Sequence, residues 1–267
     1  MNVKKLRLGL IGKDVSKSKS ESIHAYILRA LGVECEYECV SVSPDEFDNA
    51  MRRLLGDFDG FNVTIPYKRD VMEYLDCIEG DAFLFSAVNT VISATRTGYN
   101  TDGEGFLMML RVAGISVGNK RVLVLGGGGS GRSTAAVLKQ AGALVSMYQR
   151  TRAKLEETCE ELGIMPADNV ECGGFDILIN CTGVGMHDSV GRSPVGIKAF
   201  DGAQAAIDLI YEPQESAFLY LARERGLQTL NGEAMLFYQA YFADCLYLGI
   251  LADEKQAAEL YQQYKQM

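Results

Sequence analysis

The chain is poor in histidine, with two in 267 residues, His24 and His187. That scarcity excludes a histidine-rich metal centre and argues against a Ser-His-Asp triad. Cysteine occurs seven times, at 35, 39, 77, 159, 172, 181 and 245, yet never as C-x-x-C. An odd count without that spacing reads as reduced, buried small hydrophobes in a cytoplasmic protein rather than a disulfide framework. Cations are also in deficit, 26 Lys plus Arg against 35 Asp plus Glu, for a net charge of −9. This balance argues against non-specific binding to nucleic acid or to an anionic membrane. No apolar run is long enough to span a bilayer. The apolar stretch 8–12, behind Lys4, Lys5 and Arg7, is too short for a signal-peptide core. There is no internal repeat and no low-complexity segment. The length suits one large domain or two smaller ones.

Glycine, by contrast, is abundant and placed. Residues 122–133 read VLVLGGGGSGRS, with Gly126, Gly128 and Gly131 at G-x-G-x-x-G spacing between a buried-strand run and the helix-forming STAAVLKQAG. The first glycine allows the tight turn, the second lets backbone approach a pyrophosphate, and the third lets helix pack on strand. Free N–H groups at the helix start favour an anion. The strand before and the helix after make this a dinucleotide site rather than an ordinary glycine-rich turn.

From residue 121 strands and helices alternate with short connections, which predicts a parallel, doubly wound sheet. Before it, strands are expected at 6–11, 34–42, 61–65, 88–92 and 96–99, with a helix carrying Ile23, Ile27 and Leu31 at helical spacing. Ser43-Pro44-Asp45-Glu46 is a capping box that starts a helix to about residue 55. After Gly232 two helical stretches end the chain. The expected division is 1–103 for a first α/β domain, 104–231 for a nucleotide domain, and 232–267 for terminal helices.

In a doubly wound sheet, an acid at the end of the second strand binds the ribose 2′-OH of NAD, whereas Arg there accommodates the 2′-phosphate of NADP. Here that strand runs into Gln149-Arg150-Thr151-Arg152-Ala153-Lys154, with no acid and three cations. Planar Arg150 suits a phosphate and Thr151 adds a hydroxyl, so NADP is favoured. In the first half, Asn62-Val63-Thr64-Ile65-Pro66-Tyr67-Lys68 puts Asn62 and Thr64 on one strand face, with Lys68 beyond a proline-closed end. Asn100-Thr101-Asp102-Gly103 is a second polar corner, where an isolated Asp102 would read as a helix cap. A Lys and an Asp meeting in a cleft can exchange a proton with a substrate hydroxyl while hydride leaves its carbon.

Taken in order, Ser18-Lys19-Ser20, NVTIPYK at 62–68, AVNT at 87–90, NTDGEG at 100–105, GGGGSGR at 126–132, QRT at 149–151, DLIYEP at 208–213 and NGEAMLFYQA at 231–240 resemble the shikimate dehydrogenase family over essentially the whole chain. The resemblance implies an N-terminal α/β substrate domain, a Rossmann-type doubly wound parallel sheet, and C-terminal helices returning to the first domain. It implies reversible, NADP(H)-dependent reduction of 3-dehydroshikimate to shikimate, by a monomer or homodimer. Lys68 and Asp102 match the catalytic pair. Ser18, Ser20, Asn62, Thr64, Asn89, Tyr211 and Gln239 match the residues that hold the substrate. Cofactor contacts map to Gly126, Gly127, Gly128, Gly129, Ser130 and Gly131, to Gln149, Arg150, Thr151, Arg152 and Lys154, and to Thr182, Leu209, Gly232 and Met235. Metal is not expected. Three departures stand out: Lys17 replaces the family's usual His, Glu21 its usual Pro, and Gln149 its usual Asn. Alternatives of another kind are a quinate/shikimate or aminoshikimate paralogue, and a non-catalytic NADP-binding protein.

Overall fold

The structure, a computed structural model, describes residues 5–267. Contacts divide the chain into two units, one of residues up to Gly105 together with Phe237–Met267, the other Phe106–Leu236. Both divisions fall inside helices.

The first unit begins with β1 (Lys5–Gly12), α1 (Ser20–Ala30), β2 (Glu34–Ser41), α2 (Phe47–Asp57) and β3 (Gly60–Val63). It continues with β4 (Cys77–Ile78), α3 (Asp81–Phe85), β5 (Thr90–Ile92), β6 (Thr97–Tyr99) and α4 (Asp102–Val112). Its sheet runs β2-β1-β3-β5-β6-β4. β1 pairs in parallel with β2 and β3, whereas β5 runs antiparallel to both β3 and β6. Phe61, Val63, Val88 and Val91 are buried here with Phe47, Met51 and Leu54 of α2. The capping box forms, with the Ser43 hydroxyl donating to Glu46 Oε2 at 2.7 Å. It caps a 3-10 turn, Pro44–Glu46, ahead of α2 rather than α2 itself. Proline lacks the N–H of the first turn, and three residues of tighter helix accommodate it.

The second unit holds β7 (Arg121–Leu125), α5 (Gly129–Gln140), β8 (Leu144–Tyr148), α6 (Arg152–Leu162) and β9 (Met165–Pro166). β10 (Ile177–Asn180), β11 (Ala205–Asp208), α7 (Ala217–Glu224) and β12 (Gln228–Asn231) follow. All five strand pairings are parallel, in the order β12-β11-β10-β7-β8-β9. Counted from β7, this is the 3-2-1-4-5-6 arrangement of dinucleotide-binding sheets, with its switch point between β7 and β10. The expected doubly wound sheet is therefore present. α8 (Glu233–Leu248) and α9 (Glu254–Tyr264) close the chain. Phe237, Tyr238 and Tyr241 of α8 are fully buried.

All seven cysteines are free. Only Cys159 and Cys245 are buried, and Cys77 and Cys172 are exposed, which corrects the expectation of uniform burial. Cys77 lies on the edge strand β4 and Cys172 in the loop before β10, where neither has a core to enter. Among the described residues no helix is long and apolar enough to cross a membrane.

Asp208, at the end of β11, is fully buried and knits this sheet to its neighbours. It accepts from Asn180 Nδ2 of β10 at 3.0 Å, from the Ile210 N–H at 3.0 Å and from the Ser216 hydroxyl ahead of α7 at 2.5 Å. Burial raises its pKa above the ordinary 3.8, against those three bonds, which pull it down. The folded chain thus holds this proton more tightly than the unfolded chain. The stability it contributes is full below the ordinary value and is lost as pH rises through the raised one. Asp208→Asn keeps the shape and is expected to remove that loss. Its urea midpoint relative to the unmodified protein should climb as pH rises above about 4; a pH-independent difference would contradict this.

Candidate active site

In the first unit the polar corners seen in the sequence converge. Thr64 and Lys68 follow the end of β3, and Asp102 opens α4 with its N–H bonded to Asn100 Oδ1 at 3.0 Å. Lys68 Nζ lies 2.5 Å from Asp102 Oδ2, and the two side chains are 22% and 13% exposed. The pair is therefore sheltered yet reachable. The other carboxylate oxygen, Oδ1, accepts from Asn89 Nδ2 at 2.9 Å. Asn89 Nδ2 also approaches Thr101 Oγ1 at 3.1 Å and Gln239 Oε1 of α8 at 3.4 Å. Asn89 Oδ1 accepts from the Thr101 N–H at 2.9 Å and the Thr90 hydroxyl at 2.8 Å.

Asn62 is buried alongside. Its Nδ2 donates to the Asn89 carbonyl at 3.2 Å and its Oδ1 accepts from the Tyr37 hydroxyl at 3.0 Å. That hydroxyl also lies within hydrogen-bonding reach of Ser20, whose own hydroxyl is 3.0 Å from that of Ser18. One continuous polar surface thus links Ser18, Ser20, Asn62, Asn89, Gln239, Asp102 and Lys68. The Thr64 side chain has no protein partner among the described residues, and Gly12 makes room for it, since a Cβ there would meet Thr64 Cγ2 at 2.5 Å. Sequence reasoning missed Tyr37, Asn100, Thr101 and Thr90 as supports; the last three stood inside quoted motifs, and Tyr37 carried no signal on its edge strand. Lys17 and Glu21 are both exposed, and α1 starts at Ser20 with Glu21 in its first turn, where an acid suits the helix dipole.

Tyr211 belongs to the second unit, as do all the cofactor candidates, which gather at the carboxyl ends of its parallel strands. Gly126, after β7, has φ +104°. A Cβ on Gly131 would lie 1.9 Å from the Gly126 carbonyl oxygen, and one on Gly127 would lie 2.1 Å from Gln149 Oε1. Nothing lies within 4 Å of such an atom on Gly128 or Gly129, and Ser130 is exposed. No side chain caps α5, so its first N–H groups face an open cradle, the shape and polarity a pyrophosphate requires. Thr182 follows β10, and its hydroxyl donates to Asn180 Oδ1 at 2.6 Å. Leu209 and Gly232, after β11 and β12, touch: a Cβ on Gly232 would lie 2.1 Å from the Leu209 carbonyl oxygen. Met235 sits half-buried in the first turn of α8.

The three cations after β8 differ. Arg152 is engaged by Glu156 at 2.6 Å and by Asp168. Arg150, Thr151 and Lys154 are exposed, and the two cations among them have no partner among the described residues. Arg132 is spent on Glu161 and Thr158. Residues present thus fit a 2′-phosphorylated dinucleotide through Arg150 and Lys154, with Arg152 already neutralised. Among the described residues no cluster of His, Cys, Asp and Glu could hold a metal ion.

Comparison with known proteins agrees in both halves. The family model described as the shikimate dehydrogenase substrate binding domain matches residues 10–91. The shikimate dehydrogenase (NADP(+)) of Shouchella clausii is 36% identical over 245 residues, covering 87% of this chain and 89% of the relative. That of Thermus thermophilus is 34% identical over 250 residues, covering 93% and 94%. The crystal structure of shikimate 5-dehydrogenase from Thermus thermophilus in complex with NADP(H) and shikimate superposes with a TM-score of 0.89 at 32% identity, covering 97% of this chain and 99% of that one.

Gly105 on α4 packs closely against α8, since a Cβ there would sit 2.7 Å from the Gln239 backbone nitrogen. Gly105→Ala is expected to push the helices apart and cost about 1–3 kcal/mol, read as a lowered urea midpoint. Gly56 near the end of α2 has nothing within 4 Å, and Gly56→Ala should instead raise the midpoint, by about 0.4–1 kcal/mol.

Proposed function

The chain belongs to the shikimate dehydrogenase family, and from that premise we propose that it interconverts shikimate and 3-dehydroshikimate with NADP(H), Lys68 and Asp102 handling the proton. The observation that carries the residue assignment is the 2.5 Å Lys68–Asp102 pair with Asn89 on the second carboxylate oxygen. When bound, NADP⁺ supplies the hydride acceptor and NADPH the hydride donor. In the oxidising direction the carbinol C–H bond breaks with its electron pair, the O–H bond breaks without it, and C=O forms. Lys68 Nζ holds the departing hydroxyl proton and returns it in the reverse direction. Asp102 orients Lys68 and the hydroxyl, and Asn89 keeps the carboxylate from turning.

Substrate holding falls to polar side chains. Ser18 and Ser20 offer hydroxyls to the carboxylate, and Asn62, Thr64, Asn89 and Gln239 meet the ring hydroxyls. Such a pocket discriminates because an analogue lacking a hydroxyl leaves buried polar groups unpaired. The cradle at 126–131 would take the pyrophosphate, Arg150 with Thr151 and Lys154 the 2′-phosphate, and Thr182, Leu209, Gly232 and Met235 the nicotinamide half. Seven unpaired cysteines support a reducing, cytoplasmic setting. We read the division of labour as substrate in the first unit and cofactor in the second.

Nicotinamide absorbance with purified protein, in four pairings of shikimate or quinate with NADP⁺ or NAD⁺, tests the assignment. Turnover should be fastest with shikimate and NADP⁺; a quinate preference would mark a paralogue, and saturable NADP⁺ binding without turnover a binding protein. Lys68→Ala is expected to lower kcat by about 10²–10⁴-fold, and full turnover would overturn its role. Arg150→Ala should raise the KM for NADP⁺ by about tenfold or more, the worth of a charge-assisted contact, and leave the KM for NAD⁺ little changed.

A further inference from the structure

Next to the polar surface of the site lies a buried His–Asp hydrogen bond that the proton chemistry does not use. His24 Nδ1 is 2.6 Å from Asp244 Oδ1, and both side chains are 0% exposed. His24 stands one turn after Ser20 on α1, and Asp244 stands five residues after Gln239 on α8. The His24 ring stacks on Tyr37, with centroids 4.7 Å apart and planes 15° from parallel. Tyr37 in turn holds Asn62 Oδ1 and reaches Ser20. A path of direct contacts therefore runs from α8 through Asp244, His24 and Tyr37 to two groups assigned to the substrate.

The pair is poorly suited to stabilising the fold. His24 Nε2 and Asp244 Oδ2 are buried without a hydrogen-bond partner among the described residues. Its surroundings are Cys35 and Tyr37 of β2 with Cys245 and Tyr247 of α8, none of them a cation. Apolar side chains of the same volume commonly serve a core as well as a buried polar or ionic pair, or better. What an apolar pair lacks is direction: a short hydrogen bond fixes the distance and rotation of one helix against another, whereas dispersion contacts tolerate sliding.

We propose that the His24–Asp244 pair is a positioning element of the substrate pocket, setting α1 against α8 and, through the stacked Tyr37, the placement of Ser20 and Asn62. The inference rests on the shikimate dehydrogenase reading. The test is the full-length double variant His24→Phe/Asp244→Leu, which keeps a ring on Tyr37 and the volume of the site. Its melting temperature should equal or exceed that of the unmodified protein. The KM for shikimate should rise at least tenfold, while the KM for NADP⁺ stays within twofold and kcat at saturation within threefold. Asp244→Asn, which keeps an acceptor for His24, should restore the shikimate KM to within threefold of the unmodified value. A folded double variant with its shikimate KM within twofold overturns the proposal. Should the double variant not fold, Tyr37→Phe decides instead: it keeps the stack and loses only the hydroxyl, and a shikimate KM raised less than twofold overturns the path. Failure of the underlying reading is separable, because the unmodified protein would then not turn over shikimate at all.

Discussion

The polar site of the first unit turns on one carboxamide with no spare capacity. Asn89 donates towards Asp102, Thr101 and Gln239 and accepts from Thr101 and Thr90. Turning the amide over would set its NH₂ against the Thr101 N–H, donor to donor, so only one orientation is satisfied. Asp102 inherits that orientation, and Lys68 inherits it from Asp102. The groups proposed to act on a hydroxyl are thus fixed before any ligand arrives, which is the condition under which electrostatic help costs no reorganisation. Thr64, by contrast, has a hydroxyl without a partner among the described residues.

A different economy governs the second unit, where glycines shape the cradle and acids choose among the cations. Four basic side chains, Arg132, Arg150, Arg152 and Lys154, lie near the starts of α5 and α6, yet Glu161, Glu156 and Asp168 take up Arg132 and Arg152. What remains is Arg150 with Lys154, unpaired among the described residues of a chain whose net charge is −9. Against so acidic a background, a pair of free cations beside open N–H groups is a local reversal of sign. A phosphorylated ligand is drawn to such a place by field as well as by fit.

In the doubly wound half β7, β8, β10 and β11 were legible from their apolar runs, whereas β9, with two residues, and β12, with the sequence QTLN, were not. The first half was harder to read. β4 has two residues and α3 five, too few for any period to show, and the antiparallel β5 leaves no mark in sequence that distinguishes it from a parallel neighbour. At the site, Lys68 and Asp102 were legible because each sits in a short polar corner, whereas Asn89, in AVNT, was marked only by the family resemblance. The Arg152–Glu156 spacing of one helical turn was also in plain view, but Asp168 was not. Tyr37, His24 and Asp244 stayed hidden for a plainer reason: His24 and Asp244 are 220 residues apart in the chain. No local pattern carries a contact of that span.

The first unit is discontinuous, since its closing segment, Phe237–Met267, is separated from the rest by the whole of the second unit. Synthesis runs from the N-terminus, and domains generally fold as they emerge. On the ribosome, the nucleotide half is therefore finished while the other half still lacks α8, with its Gln239, Asp244 and buried aromatic residues. Until those residues leave the exit tunnel, the apolar surfaces they will cover stay open to water and to chaperones. A prematurely released chain would carry a finished nucleotide half beside an unfinished substrate pocket.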